Sequence, residues 1–368
     1  MSASLRNERP RLAVVGCGWW ATQFHIPGLL GYEGAELVGV VDADTSRLSA
    51  ACATFDIPGY MSLEELLATT ALDGVVVATT SATHYELARR ALAAGLHVMV
   101  EKPMTFRAKE AWELVALADA GGLHLQLGYT HHFTPSAQRL TEVLAAGDLG
   151  DLIQVSGLYA TMVEAYYRGR PEEYDAVFHF PLTGPGERTY SDPKIAGGGQ
   201  GMTQVTHLMG MILWASGRRV REVCAFMDSR DLAVDLVDAI AFRFDNGGVG
   251  CVGATGNLRP GDPQQQEIRY YGTEGYVLQD LVSASVEIRY ADGRAESLTA
   301  EDPYPAQATA RGLADLIAGR APNRAPGEAG ARAVECLEAA YTSAARGERV
   351  EVVDVAATAK ATATSGGS

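Results

Sequence analysis

Three small residues carry the first readable chemistry. Gly16, Gly18 and Ala21, in Gly16-Cys17-Gly18-Trp19-Trp20-Ala21, follow the apolar run Leu12-Ala13-Val14-Val15 and precede a segment able to start a helix. In that setting Gly16 permits a tight turn, Gly18 lets backbone N–H groups approach a pyrophosphate, and Ala21 keeps the helix close to the sheet. Asp42 stands 24 residues after Gly18, at the end of the next apolar run, Leu37 to Val41. A carboxylate there accepts both hydroxyls of an adenosine ribose and repels a 2′-phosphate, so the expected cofactor is NAD rather than NADP. The competing reading is that Asp42 only caps the following helix.

Hydride transfer from a carbinol carbon to nicotinamide needs a base for the hydroxyl proton and a group that steadies the alkoxide. Lys102 lies just past His97-Val98-Met99-Val100, where open α/β sheets hold ligands, and Pro103 stiffens the chain beside it. A solvated Glu101–Lys102 pair is the plainer alternative. After Gly197-Gly198-Gly199, residues Gln200, Thr203 and His207 are spaced i, i+3 and i+7. That spacing puts an amide, a hydroxyl and an imidazole on one helical face, opposite Met202, Val205, Met209 and Ile212. A structural, hydrogen-bonding His207 is the alternative. No metal is expected: His131 and His132 are adjacent with no third ligand at a useful spacing, and the five cysteines form no C-x-x-C pair.

These groups need a scaffold. Apolar runs at Leu12–Val15, Leu37–Val41, Gly74–Ala78, His97–Val100 and Leu125–Tyr129 alternate with helix-compatible segments such as Thr45–Phe55 and Tyr85–Ala94, predicting a parallel sheet covered on both faces. The rhythm changes near residue 130. After a helix over Pro135–Ala146, alternating segments from Ile153 to Tyr290, joined by turns such as Asp245-Asn246-Gly247-Gly248, predict a largely antiparallel sheet. Helices over Ala306–Ile317 and Ala329–Ala345 are expected to cover one face of it, and a second subunit the other. The expected division is a nucleotide domain over 1–130, a second α/β domain over 131–355 and a disordered tail over 356–368. Subtracting 45 acidic from 30 basic residues gives −15, which disfavours a nucleic-acid partner. No run approaches a membrane span and Met1–Pro10 lacks a signal-peptide core, so a cytoplasmic location and no membrane partner are expected.

With those motifs in place, the chain resembles the Gfo/Idh/MocA oxidoreductases. The resemblance rests on Gly16 to Ala21, the loop Ala78-Thr79-Thr80-Ser81-Ala82-Thr83-His84, Glu101-Lys102-Pro103, Gly128-Tyr129, Gly197-Gly198-Gly199, His207, Tyr271-Gly272-Thr273-Glu274-Gly275, and Glu338 to Ala344. It implies an N-terminal Rossmann domain and a C-terminal α/β domain whose large, mainly antiparallel open sheet makes a homodimer or homotetramer. It also implies that Gly16, Gly18, Trp19, Trp20, Ala21, Asp42, Thr79, Thr80, His84, Glu101, Lys102 and Tyr129 surround NAD. Lys102 would bond the reacting hydroxyl of a sugar or cyclitol.

Two departures from the family pattern bear on the chemistry. Thr203 stands where relatives place an Asp beside the histidine, and Gly210 replaces a second common Asp. A hydroxyl can orient an imidazole but does not stabilise its cation as a carboxylate does, so Lys102 and His207 are expected to share proton handling, with Thr203 and Gln204 positioning the substrate. His131 replaces an Arg in Gly128-Tyr129-Thr130-His131-His132-Phe133, which disfavours anionic substrates and leaves Tyr129 and His132 as pocket candidates. Between Val163 and Pro193, Tyr166, Tyr167, Arg168, Tyr174, His179 and Tyr190 either contact a sugar ring or anchor a long loop. The expected activity is NAD-dependent oxidation or reduction of a neutral sugar, glycoside or cyclitol; recycling of a bound NAD and silent NAD binding are the alternatives.

Overall fold

The computed structural model describes residues 9–355, so the expected tail at 356–368 and most of Met1–Pro10 lie outside the described residues. Strands β1 (Arg11–Val15), β2 (Glu36–Val41), β3 (Gly59–Tyr60), β4 (Gly74–Val77), β5 (His97–Val100) and β6 (Leu125–Leu127) form one parallel sheet in the order β3-β2-β1-β4-β5-β6. Its continuous apolar strands follow from burial on both faces. Leu12, Val14, Val76 and Met99 point to one side, and Ala13, Val15, Val75, Val77, Val98 and Val100 to the other, each set inside its own apolar cluster. The chain order reverses between β1 and β4, so the carboxyl ends of β1, β4 and β5 open onto a crevice suited to a ligand.

Strands β7 (Leu152–Ala160), β8 (Val220–Asp228), β9 (Val237–Phe244), β10 (Val249–Thr255), β11 (Gln265–Gly272), β12 (Gly275–Asp280), β13 (Ser285–Tyr290), β14 (Ala295–Thr299) and β15 (Val350–Glu351) build the second sheet. The order is β14-β13-β12-β11-β7-β10-β9-β8-β15; only the β7–β10 pair is parallel. Val223, Ile240, Phe242, Val252, Ile268 and Val277 face inward onto the helices Pro135–Ala146, Thr206–Ser216 and Gly327–Arg346. On the other face, alternation exposes Cys224, Phe226, Cys251 and Tyr276, with Phe226 76% exposed. Among the described residues no helix is long and apolar enough to cross a membrane.

One helix assignment is corrected. The helix Ala308–Ile317 does not cover the antiparallel sheet: Ala310, Leu313 and Ala314 pack with Leu12, Val14, Val76 and Met99 of the parallel one. Helix Gly327–Arg346 serves both sheets, burying Ala331 and Val334 in the first core and Ala333, Leu337 and Ala340 in the second. Leu313 is fully buried. Leu313→Ala should therefore cost about 2–5 kcal/mol in urea unfolding and remove hydrogen-exchange protection from β1 and β5 before β8 and β9. Loss confined to β8 and β9 would contradict this packing.

Candidate active site

The glycine turn after β1 is shaped by close backbone approach. Gly16 has φ +106°, and a Cβ there would lie 2.6 Å from the Ala78 carbonyl oxygen, so no side chain fits. Gly18, by contrast, would point a Cβ into open space, the room a pyrophosphate requires. Asp42 Oδ2 accepts the Cys17 N–H at 2.8 Å, and Oδ1 accepts the Asp44 N–H at 2.8 Å. Asp42 does not cap the helix Thr45–Phe55; Asp44 does, accepting from the Ser46 and Arg47 N–H groups. Arg47 returns from that helix to donate to Asp42 at 3.1 and 3.3 Å. Burial beside Asp42 pushes the Cys17 thiol up to about 12, so it stays protonated and inert.

At the end of β5, Glu101 is buried and fully engaged. Its Oε1 accepts Trp20 Nε1–H at 2.9 Å and lies 2.9 Å from His25 Nε2, while Oε2 accepts the Lys102 N–H at 3.1 Å. Burial is the largest single influence and raises the carboxyl, but His25 and then Lys102 outweigh it and hold Glu101 below its ordinary value. A π-helical turn over Ala21–His25 delivers His25 to this carboxylate. The Lys102–Pro103 peptide is cis, and His84 Nδ1 bonds the Pro103 carbonyl at 2.8 Å with Nε2 3.2 Å from the Thr79 carbonyl. His84 thus braces the Thr79 loop against the lysine turn from a buried position. Thr79 and Thr80 stand exposed or nearly so at the crevice, with Thr79 bonded to Thr83 at 2.7 Å.

Lys102 reaches across the crevice and donates Nζ–H to the Thr203 carbonyl at 2.9 Å. Desolvation lowers its pKa, and the Glu101 charge opposes that only in part. Thr203 lies in a second π-helical turn, Gly201–Val205, which leads into Thr206–Ser216. Its hydroxyl is not bonded to His207: it donates to the Gly199 carbonyl at 2.8 Å and meets Tyr167 Oη at 2.5 Å. Gln200, also beside Tyr167 Oη, gives its amide to the Tyr159 carbonyl, so Gln200 and Thr203 meet through Tyr167. Gln204 is half-buried on the same turn. His207 stacks on Tyr159 at 6.0 Å between ring centroids, and burial with nearby Lys102 drives its pKa well down, leaving it neutral.

Of the adjacent pair, His131 and not the pocket candidate His132 packs against His207. A 3₁₀ turn over Thr130–Phe133 splits the two. His131 sits 5.9 Å from His207 and 5.1 Å from Tyr304, both its ring nitrogens buried without a partner and its pKa lowered to about 4 by burial. His132 turns to stack on Trp214 at 4.3 Å and bonds the Arg324 carbonyl. Tyr129 is buried; its hydroxyl pairs with Thr206 at 3.1 Å, and burial raises it to about 12. In the 163–193 segment, Tyr166 packs on Tyr174, Phe178 and Tyr190, Arg168 pairs with Glu164 and Asp231, and Phe180 meets Trp19 at 5.4 Å. These contacts are those of a loop anchor. Among the described residues, no group of three or more His, Cys, Asp or Glu side chains is arranged to hold a metal ion.

Residues 10–129 match the family model described as the oxidoreductase family, NAD-binding Rossmann fold, and residues 137–278 match the GFO/IDH/MocA C-terminal domain. The chain belongs to the Gfo/Idh/MocA oxidoreductase family, and its fold is the Rossmann sheet joined to a mostly antiparallel nine-stranded sheet. It is similar to a D-xylose 1-dehydrogenase (NADP(+)) of Haloferax volcanii, 27% identical over 86% of this chain and 92% of that protein. Inositol 2-dehydrogenase of Leifsonia xyli is 35% identical over 34% of this chain and 38% of its own length. The chain spans only 38 to 46% of the length of the curated relatives it matches at 29 to 35% identity. Among solved structures, GenD2 from gentamicin A biosynthesis, in complex with NAD, superposes with a TM-score of 0.75 at 26% identity, covering 96% of this chain and 99% of that one.

Gly210, one of the departures from the family pattern, has a packing cause: a Cβ there would lie 2.7 Å from the Tyr129 ring. Gly210→Ala should therefore push Tyr129 off Thr206 and destabilise the protein by about 1–3 kcal/mol in thermal unfolding. An unchanged melting temperature would contradict this.

Proposed function

We propose that the protein is an NAD-dependent dehydrogenase or reductase that moves hydride between the nicotinamide and a secondary alcohol or ketone of a neutral sugar, glycoside or cyclitol. The observation that carries this reading is the Lys102 ammonium, half-buried at the carboxyl end of β5 and held on the Thr203 carbonyl, with neutral His207 in its field. Bound NAD would supply the hydride acceptor. Gly16, Gly18, Trp19, Trp20 and Ala21 would cradle it, Asp42 would take its ribose, and Thr79, Thr80, Glu101 and Tyr129 would line the path to the substrate.

In the oxidation direction Lys102 bonds the reacting hydroxyl, and the proton passes to the Lys102 amine or the His207 imidazole. Burial lowers the Lys102 ammonium toward the range where its neutral amine can accept a proton, whereas His207, already neutral, becomes a weaker base. Tyr159, Tyr304 and His131 are uncharged neighbours, which suits a polyol without phosphate or carboxylate. Two copies would meet through the open face that exposes Phe226, Val249 and Tyr276, in a cytoplasmic homodimer or homotetramer.

With a panel of neutral sugars and cyclitols at saturating NAD, Lys102→Ala and His207→Ala should each lower the rate of NAD reduction about 10²–10⁴-fold. Near-normal turnover in both variants would overturn the assignment. The wild-type oxidation rate should rise with pH through a transition below the ordinary lysine range, since the neutral amine is the accepting form. For the cofactor, Asp42→Ala leaves Arg47 without its carboxylate and should shift the NADPH-to-NADH affinity ratio upward by about 10-fold or more in fluorescence titrations. An unchanged ratio would remove Asp42 from the ribose site.

A further inference from the structure

Beneath the turn that carries Thr203 lie two carboxyl groups that the proposed proton handling does not use. Asp235 Oδ1 accepts the Gly199 N–H and the Tyr341 hydroxyl, each at 2.7 Å, and Oδ2 accepts the Gly201 N–H at 2.7 Å. Its backbone carbonyl accepts the Gln200 N–H at 2.9 Å. One residue thus binds three consecutive N–H groups at the start of the segment leading to His207. The fit excludes side chains: a Cβ at Gly199 would lie 1.9 Å from the Asp235 carbonyl oxygen, and at Gly198 2.2 Å from the Tyr341 hydroxyl. Thr203 is tied to this anchor through its bond to the Gly199 carbonyl, and its own carbonyl holds Lys102.

Asp238, near the start of β9, is 3% exposed; no donor reaches either of its carboxyl oxygens, and the Asp235 carboxyl is the hydrogen-bonding group beside it. The titratable groups facing it are Asp235 from the preceding loop, Tyr341 from helix Gly327–Arg346 and Tyr167 from the helical turn Glu164–Tyr167. None of these is a cation. Two buried carboxyls side by side do not both ionise readily. Asp235, engaged by three donors, is the better site for the charge. Burial, with the Asp235 charge second, lifts Asp238 to about 9.

We propose that Asp235 and Asp238 share one proton and act as the positioning pair of the active site. Ionised Asp235 fixes the turn that presents the Thr203 carbonyl to Lys102, and protonated Asp238 lets that charge stay in place. This role rests on the reading of Lys102 as the group that binds the reacting hydroxyl. While Asp238 holds its proton the turn is intact; once the proton leaves, two adjacent carboxylates repel and Lys102 loses its fixed acceptor. Asp238→Asn keeps an N–H toward Asp235 and removes the ionisation.

The test needs no substrate, so a failure of the redox reading leaves it interpretable. The full chain has four lysines, which allows the Lys102 resonance to be assigned in ¹⁵N-lysine-labelled protein with a Lys102→Arg control. In wild type, the Lys102 signal should show an added inflection close to the Asp238 transition at about 9, and Asp238→Asn should abolish it. Superimposable wild-type and Asp238→Asn curves would overturn the proposal. If that variant fails to fold, infrared spectra of wild type carrying ¹³C-labelled aspartate decide. A protonated-carboxyl band present at neutral pH and lost in the same alkaline range supports the shared proton; its absence at neutral pH rules it out.

Discussion

An ammonium partly withdrawn from water needs an acceptor, and the rest of the site is arranged around the one that Lys102 finds. Its partner is the Thr203 carbonyl, 101 residues away on the other side of the crevice. The contact joins the end of a parallel strand to a turn laid against the antiparallel sheet, so the two sheets must be held in fixed relation for it to form. Helix Gly327–Arg346, buried in both cores, supplies that relation. On the Lys102 side, Glu101 is locked by Trp20 and His25, and His84 fixes the Pro103 carbonyl. On the Thr203 side, the Gly199–Gly201 backbone is held by Asp235.

Both sides use the same two devices. Glycine allows backbones to approach more closely than a Cβ permits, at Gly16 against Ala78 and at Gly199 against Asp235. A π-helical turn then re-aims the following residues, at Ala21–His25 toward Glu101 and at Gly201–Val205 toward Lys102. Most of the polar groups drawn inside find partners, and among the described residues His131 and Asp238 stand out because nothing bonds either ring nitrogen of the first and no donor reaches either carboxyl oxygen of the second.

Much of the scaffold was legible because it is written locally. The apolar run His97–Val100 and the helix Thr45–Phe55 occur where the pattern puts them. Strands β3, β12, β14 and β15 carry no clear local signal: two are only two residues long, β12 mixes polar and apolar residues, and β14 is mostly exposed. Amphipathic periodicity showed that Ala308–Ile317 buries one face but not which sheet receives it, since an apolar stripe carries no address. At the site, the local pattern places the glycine turn after β1 and Lys102 just past β5. It did not separate His131 from His132, whose directions are set by one 3₁₀ turn, nor did it reveal Asp235 and Asp238, whose partners lie far away in sequence. The nearest available signal was the run Gly197-Gly198-Gly199, which demands something close against its backbone.

The central claim is that this crevice passes hydride between a neutral polyol and nicotinamide. The most direct measurement offers cofactor-stripped protein NAD with neutral sugars, glycosides and cyclitols bearing deuterium on the carbinol carbons, and examines the nicotinamide by mass spectrometry. The account predicts reduced nicotinamide carrying one deuterium from a neutral substrate, with a ketone formed in equal amount. Reduction only with anionic sugar acids, or ketone-free product without reduced nicotinamide, would contradict it.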